Sequence, residues 1–449
     1  MKKIYFSLII TGLFLFTDST NAQSQGETTT LSLQQAIDYS YEHQKDMVDA
    51  QLETQIAKAK VKETTGIGLP QISANLDLKD YFVLNYLFPG EFKGGAPGTF
   101  VGFGINTPSY SAGASVQATQ LLFDGSYLVG LKASKTYREL SEKNLLRTKI
   151  ETAVAISKAY YYVQVNNERI KLLDANVIRV QKLLNDTKAL YDNGFVEKID
   201  YDRVTLTFNN LTTEKENVSR LMLLSEYMLK FQVGMDIHSK IMLTDSLSAE
   251  QVKSMNADAQ KSDVTGRIEY SILQTQQHLQ QLDLKRYRSL YYPRLVLYGN
   301  LNTLAQRPKF DFTDSKQAWF PTGFVGLTLS LPLFDGLQRE KKIDQAKLML
   351  RKIDNQIANT TNALNLETEA NQTALTNALA AFSTQEQNLE LANEVVRVTK
   401  AKYDQGVGSN LEVITAETSL KEAQTNYYNS LYDALIAKVD LDKAQGKIK

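Results

Sequence analysis

The chain has 449 residues, equal numbers of basic and acidic residues (50 each) and no cysteine. Zero net charge offers no electrostatic attraction for nucleic acid, and a chain without cysteine has no disulfide, thiolate metal site or lipidated N-terminal cysteine. The three histidines, His43, His238 and His278, lie far apart with no metal-ligand spacing, so neither a metal nor another cofactor is expected.

The first predicted element is an N-terminal export signal. Lys2 and Lys3 precede an apolar run, Ile4 to Phe16, of about 13 residues, whereas a spanning helix needs roughly 20. Small residues precede Gln23, so residues 1–22 are predicted to be a cleaved signal peptide. The rest of the chain has no apolar run of about 18 residues, so any segment there that crosses a membrane is expected to be a β-strand.

Prolines divide the rest of the chain into helical and β regions. All eight lie in two windows, between Pro70 and Pro108 and between Pro293 and Pro332. Because proline is excluded from helix interiors, this spacing indicates two tandem repeats, each with a leading helix, a β window and long helices. Ser32 and Gln35 form a possible capping box for the first leading helix. The predicted units are a first repeat at 23–232, a connecting segment at 233–266 and a second repeat at 267–449.

Alternation of apolar and polar residues predicts a β-hairpin in each window, at about 70–123 and about 293–334. The apolar face is predicted to contact lipid through Ile72, Leu76, Val116, Leu295, Leu297, Val325, Leu327 and Leu329. Aromatic residues mark the strand ends, as at membrane interfaces: Phe123, Tyr291, Tyr292 and Phe334 on the helix side, and Tyr81, Phe82, Trp319, Phe320 and Phe324 on the loop side. Strands of roughly ten residues match bilayer-crossing segments, although alternation is also typical of a sheet packed on a core.

Two hairpins supply four strands, which are too few to close a transmembrane barrel because the smallest have about eight. An open sheet edge would leave backbone groups unpaired in lipid. The chain is therefore expected to oligomerise. Strand arithmetic leaves both a dimer and a trimer open.

The tetrapeptide Leu-Phe-Asp-Gly occurs twice, at Leu122–Gly125 and Leu333–Gly336, after an alternating stretch and before a proline-free one. We expect Asp124 and Asp335 to begin long helices, each reaching roughly 100 Å at about 1.5 Å per residue and packing as a coiled coil. A Tyr-Asp-x-Gly turn follows each long helix, and its glycine is a natural C-cap. The predicted long helices are about 126–193 and about 337–405, and the return helices are about 200–232 and about 411–441.

These features together resemble the TolC-like outer-membrane efflux proteins. The resemblance rests on Leu31–Ile37 near the mature start, the prolines that open the strands, the two Leu-Phe-Asp-Gly motifs and the two Tyr-Asp-x-Gly turns, and it covers essentially the whole mature chain. It implies a mostly α fold with a membrane β-barrel. It further implies a homotrimer with a twelve-stranded barrel in outer-membrane lipid, an α-helical periplasmic tunnel, and docking to a periplasmic adaptor (membrane fusion protein) and an inner-membrane pump.

In this family, acidic residues just past the second tip turn narrow the tunnel entrance. Glu412 matches that position and Asp200 is its counterpart in the first repeat, so both are predicted at the pore constriction. The alternative is a solvated acid favoured by a helix N-terminus. Thr415 stands where a second acid is often found. The tip turns are predicted to contact the adaptor through Asn193, Gly194, Phe195, Val196, Gln405, Gly406, Val407, Gly408 and Ser409.

We therefore expect a passive exit duct for small-molecule efflux, located in the outer membrane and opened at its periplasmic tip by partner proteins. No enzyme activity is expected, because the sequence has no nucleophile–base set, phosphate loop or metal-ligand spacing. Two alternatives stay open from the sequence: the outer-membrane component of a type I protein secretion system, and a soluble periplasmic coiled-coil scaffold.

Overall fold

The structure is a computed structural model, and it describes residues 29–83, 86–87, 105–106, 108–247, 249–255 and 264–448. The predicted signal peptide, residues 1–22, and the mature start near Gln23 lie outside the described residues. None of the helices in the described ranges combines the length and the apolar character needed to span a membrane.

The described elements fall into two halves and a short connection. The first half contains β1 (Thr29–Leu31), α1 (Leu33–His43), α2 (Lys45–Gly66), β2 (Gln71–Asp80), β3 (Tyr86–Leu87), β4 (Ile105–Asn106), β5 (Tyr110–Phe123), α3 (Gly125–Asp192) and α4 (Lys198–Val233). The connection contains β6 (Ile241–Leu243), α5 (Ala249–Lys253) and a 3-10 turn (Val264–Gly266). The second half contains α6 (Ile268–Ser289), β7 (Arg294–Arg307), β8 (Phe320–Ser330), α7 (Gln338–Asp404) and α8 (Asn410–Ala444).

The two halves match in helix length. The long helices α3 and α7 have 68 and 67 residues, and the return helices α4 and α8 have 36 and 35. The leading helices α2 and α6 each have 22. Because corresponding helices are equally long, the strands gather at one end of the molecule and the turns after α3 and α7 at the other.

Side-chain caps start α1, α2 and α3. The predicted capping box is confirmed at α1, where the Ser32 hydroxyl accepts from the Gln35 backbone N–H and the Gln35 side chain accepts from the Ser32 backbone N–H. At α3 the Asp124 carboxylate accepts from the N–H groups of Ser126 at 2.8 Å and Tyr127 at 3.1 Å. Asp124 therefore begins α3 as predicted, by satisfying amide groups that the first helical turn leaves free.

Asp335 begins the second long helix in a different way. Asp335 was expected to begin this helix, but a left-handed turn lies between them: Gly336 and Leu337 have φ of 65° and 69°, and α7 starts at Gln338. The Asp335 carboxylate instead reaches forward to Arg339, accepting from its backbone N–H at 3.0 Å and its Nε at 2.7 Å. The hydrogen bond from the Arg339 guanidinium lowers the pKa of the Asp335 carboxyl.

The strands form one four-stranded antiparallel sheet in the order β2-β5-β7-β8. The central β5–β7 pair joins the two halves, and Val116 of β5 lies opposite Ala74 of β2 and Leu301 of β7. A bulge between Leu121 and Phe123 shifts the register where β5 approaches α3. Strands β2 and β8 are the edges of this sheet, and within the described residues neither has a partner on its outer side.

The helices pack as two antiparallel pairs. Apolar residues at helical spacing on α3 and α4 form one buried cluster: Leu173, Val180, Val204, Leu211 and Val218. A second cluster, Val396, Ala416 and Leu420, lies between α7 and α8. Burial of one stripe of each helix stabilises elements that are too long to be held by helix propensity alone.

The connecting segment fastens the start of the described chain to the middle of the helices. Strand β1 pairs in parallel with β6. The Asp245 carboxylate accepts from the Leu33 N–H at 2.8 Å and from the Tyr160 hydroxyl at 3.0 Å, and burial raises the pKa of Tyr160. Helix α5 buries Val252 against Phe382 of α7. The connection thus packs around the helices instead of forming a separate core.

Candidate functional site

One face of the sheet is apolar from edge to edge. The register places the whole predicted lipid-facing set on this face: Ile72, Leu76, Val116, Leu295, Leu297, Val325, Leu327 and Leu329. Leu295 lies opposite Leu329 and Leu297 opposite Leu327, while Leu76 is 86% exposed. A continuous exposed apolar surface of this kind marks contact with lipid or with another protein. The assignment of these side chains to lipid stays a prediction.

The opposite face is largely polar, and it contains an aromatic pair. Phe324 was predicted to belong to the interfacial aromatics, but the register places it opposite Asn300, on the face away from Val325. Its ring makes an edge contact with Tyr298, with 5.9 Å between centroids. Tyr298 also covers Gly326, where a Cβ would lie 2.8 Å from the tyrosine ring. The prediction was therefore wrong for Phe324, which points to the polar side.

The helix-side aromatics lie where the strands give way to helices. Tyr291, Tyr292, Phe123 and Phe334 are all exposed. The guanidinium carbon of the buried Arg339 lies 4.5 Å from the centroid of the Tyr291 ring. This cation–π contact joins the start of α7 to the turn that follows α6.

The two tip turns share one backbone geometry. At the end of α3, the N–H of Gly194 donates to the Tyr191 carbonyl at 2.9 Å and that of Phe195 to the Leu190 carbonyl at 2.9 Å. At the end of α7, Gly406 and Val407 repeat both bonds, to Tyr403 at 2.9 Å and Lys402 at 3.0 Å. Gly194 and Gly406 have φ of 76° and 73°. These are Schellman motifs, which need a residue that tolerates the left-handed region.

Both tips present an exposed apolar residue directly after the glycine. Phe195 and Val407 are each 78% exposed. The second tip is also tighter, because a Cβ on Gly408 would lie 2.9 Å from the Tyr403 backbone nitrogen. Val196 occupies the corresponding position of the first tip. The predicted contact residues thus lie together at the end of each helix pair, and their role in adaptor binding stays a prediction.

The predicted gate acids differ in their surroundings. Asp200 has an ion-pair partner, since its Oδ1 lies 3.5 Å from Nη1 of Arg203. Glu412 is exposed, and in the described part of the chain its carboxylate has no ion-pair partner. The side-chain amide of Asn410 donates to the Asp200 carbonyl at 3.1 Å, which brings the starts of α4 and α8 together. Of the two acids, Glu412 keeps its charge uncompensated.

Polar contacts also tie the two helix pairs above the tips, and no pattern in the sequence indicated them. Nη2 and Nε of Arg179 on α3 lie 3.3 Å and 3.4 Å from the Glu417 carboxylate on α8. Asn176 donates to Gln424 at 2.7 Å. A cavity of about 160 Å³ adjoins Asn176 and Glu417. The paired residues are more than two hundred positions apart, so no local pattern could have identified them.

Long paired helices that continue into an open sheet with one apolar face define a channel subunit of the TolC-like type. The helical ends carry the tip turns, and the sheet carries the surface suited to a membrane. The chain belongs to the outer membrane efflux protein family, whose model matches residues 20–234 and 267–447. It is accordingly an outer-membrane efflux channel protein.

Named relatives agree with this assignment. The probable efflux pump outer membrane protein TtgC of Pseudomonas putida is 23% identical over 362 residues, covering 76% of this chain and 69% of the relative. The outer membrane protein TolC of Vibrio cholerae is 18% identical over 341 residues, covering 75% of this chain and 76% of the relative. These relatives are outer-membrane proteins, and none is named as an enzyme.

Solved structures show the same fold. CusC, described as forming a transmembrane channel, has a TM-score of 0.75 at 14% identity, covering 94% of this chain and 95% of that one. VceC, an outer membrane protein of Vibrio cholerae, has a TM-score of 0.70 at 16% identity, covering 92% and 96%. The helix and strand arrangement described above is therefore that of TolC-like channels.

Proposed function

We propose that copies of this chain assemble into a homotrimeric duct that passes small molecules across the outer membrane without catalysing a reaction. The observation that carries this proposal is the sheet. It has one exposed apolar face and two edges, β2 and β8, that are unpaired within the described residues, and it continues into helices about 100 Å long. In lipid each unpaired backbone group costs several kcal/mol, so β8 of one copy pairs with β2 of the next.

Three copies suit a duct better than two. A barrel of about eight strands, as two copies would form, is only wide enough to be filled by its own side chains. Twelve strands leave a lumen. The polar face of the sheet, with Asn300 and Asn302 among its residues, would line that lumen, while the apolar face would contact lipid.

The proposed cargo is a small molecule, as in the relatives named for the efflux of toluene and antibiotics. The long helices hold no described cluster of metal-ligating side chains. Energy and selection would come from an inner-membrane pump, joined to the tips by a periplasmic adaptor. The uncompensated Glu412 near the axis would narrow the closed entrance and attract cations.

Channel formation is the direct test. The mature chain, purified in detergent, is expected to form discrete conducting steps in planar bilayers and to precipitate when detergent is withdrawn. A mature chain that stays monodisperse without detergent and never conducts would support the soluble coiled-coil scaffold and overturn the duct.

Removing the gate charge is expected to open the entrance to ions. Glu412→Ala should raise single-channel conductance and weaken block by divalent cations by about tenfold, which corresponds to about 1.4 kcal/mol of lost attraction. Asp200→Ala should change the block less, because Arg203 already compensates its charge.

Glu422→Ala is the matched control, because this exposed acid lies on α8 about 15 Å farther from the tip. Its conductance and divalent block should equal those of the unmodified protein. An unchanged block in Glu412→Ala, or an equal change in the control, would remove Glu412 from the gate.

Introducing negatively charged side chains at the exposed tip residues is expected to prevent binding of the adaptor. Phe195→Asp combined with Val407→Asp should abolish export in cells that also produce the adaptor and the pump, because an apolar contact would become a buried unpaired charge. Conductance of the purified variant should stay normal. The apolar replacements Phe195→Leu and Val407→Ile should retain export, and full export by the aspartate variant would exclude these residues from the contact.

A further inference from the structure

A buried arginine lies on the apolar face of the sheet, at the end remote from the long helices. Arg307 is the last residue of β7 and shares the face of Leu297 and Leu301, yet it is only 4% exposed. Aromatic rings cover it. The guanidinium carbon lies 5.1 Å from the centroid of the Phe312 ring and 6.0 Å from that of Trp319. The cation is thus held beneath two rings at the end remote from the long helices.

The guanidinium is only partly hydrogen-bonded. Nη1 of Arg307 donates to the backbone carbonyl of Asp311 and, at 3.1 Å, to its carboxylate. Nη2 is buried and has no hydrogen-bond partner within the described residues. An unpaired buried N–H of a charged group is strongly unfavourable, and a guanidinium fork is shaped to grip an oxyanion. Within the part of the chain that the structure describes, Nη2 is therefore free to take an additional acceptor.

The loop around Arg307 carries a surplus of positive charge. Residues 307–319 contain Arg307, Lys309 and Lys316 against Asp311 and Asp314. Both lysines lack an ion-pair partner among the residues that the structure describes. On the strand side, Tyr110 lies opposite Arg307 and separates it from Asp80 of β2. The surroundings therefore favour an anion.

We propose that Nη2 of Arg307 binds a phosphate oxygen, supplied by a lipid headgroup of the outer leaflet. This inference rests on the proposed placement of the sheet in the outer membrane. Phe310 and Trp319 are exposed beside Arg307, and aromatic rings favour the headgroup level of a membrane. Phe312 and Trp319 lie in or beside a segment of turns between β7 and β8, so either ring can move without breaking a strand hydrogen bond.

Trp319 provides a built-in probe, because it is the only tryptophan of the chain. The intact channel in maltoside micelles is titrated with phosphatidic acid while tryptophan emission is recorded. Diacylglycerol in the same micelles is the uncharged control, and inorganic phosphate is the soluble one. We expect a saturable change in emission with phosphatidic acid, none with diacylglycerol, and at least tenfold weaker binding of inorganic phosphate.

Variants at the two ends of β7 assign the site. Arg307→Gln should abolish the phosphatidic acid response, whereas Arg294→Gln, at the helix-side end of the same strand, should leave it intact. Arg307→Lys keeps the positive charge but lacks the guanidinium fork, so it should weaken phosphatidic acid binding by about tenfold. This variant also tests the site if Arg307→Gln does not fold.

An equal response to inorganic phosphate would support the phosphate site but overturn the lipid as its source. No response to any phosphate, or a response that survives both replacements of Arg307, would overturn the site itself. Conductance in planar bilayers tests the duct independently. A channel that conducts normally but shows no phosphate-dependent emission would therefore contradict this site alone.

Discussion

Replacing both Leu327 and Leu329 with lysine is expected to prevent the sheet from entering the membrane. Both side chains lie on the apolar face and are exposed in the chain, so their loss leaves no cavity in a protein core. In a bilayer each midplane lysine would cost about 2 to 4 kcal/mol. Two such charges in every copy would offset much of a free energy of unfolding of about 5 to 15 kcal/mol. Heat-resistant oligomers in the outer-membrane fraction should fall almost to zero.

Thr328→Lys is the control for this experiment, because Thr328 lies between the two leucines on the same strand. It pairs with Val296 and points to the opposite face, which would line the water-filled lumen. Its oligomer should assemble in normal amounts. Normal insertion of the double lysine variant combined with loss in the Thr328→Lys control would show that the two faces are assigned the wrong way round. Equal loss in both variants would contradict the assignment of only one face to lipid.

The second large effect is expected at Arg267, which fastens three elements of the second half. Its Nη1 donates to the Ala444 carbonyl at 2.6 Å, while Nε lies 3.1 Å from Glu269 and Nη2 lies 3.2 Å from Glu367. Arg267 is only 4% exposed. Arg267→Met should lower the free energy of unfolding by about 3 kcal/mol, at the low end for a broken buried pair, because both carboxylates are partly exposed and stay solvated.

Arg286→Met serves as its control, since Arg286 pairs with Asp283 on the surface of the same helix. Its loss should cost less than about 1 kcal/mol. Urea unfolding of the detergent-solubilised protein measures both changes. A loss at Arg267 no greater than at Arg286 would mean that the buried contacts do not hold α6, α7 and α8 together.

The effect of Arg267→Met should depend on pH. Burial by itself would raise the pKa of Glu269, but the hydrogen bond and charge of Arg267 outweigh it and lower the pKa. The resulting stabilisation is complete above the pKa of glutamate in the unfolded chain, about 4.3. It is lost as pH falls through the lower pKa of Glu269 in the folded protein. The stability difference between the unmodified protein and Arg267→Met should therefore shrink on acidification below about pH 4. A constant difference would exclude Glu269 from the effect.

Patterns confined to a few neighbouring residues were informative in the sequence. The Ser32 capping box and the Asp124 cap follow from short-range hydrogen bonds, and both occur in the structure. The faces of the strands follow from a period of two, so the leucines of β8 could be placed on one side without knowing their partners. The aromatic assignment failed where aromatic character was given more weight than this period, at Phe320 and Phe324, which share one face of β8.

Contacts between distant segments could not be predicted in the same way. Asp335 matches Asp124 in local sequence, but its helix starts after a left-handed turn and its carboxylate reaches Arg339 instead. Asp200 and Glu412 occupy equivalent positions after equivalent turns, yet only Asp200 has an ion partner in the described chain. Such differences depend on which rotamers the surrounding packing allows.

The sequence by itself determined that this protein has two repeats of strands and long helices, because period, proline exclusion and glycine caps act within a few residues. Only the tertiary structure decided that β2 and β8 are the edges of the four-stranded sheet, that Arg267 joins three helices, and that Arg307 is buried beneath Trp319. Strand order and partner choice depend on which segments meet across hundreds of residues. That choice is made by the total free energy of packing, to which each local pattern contributes only a part.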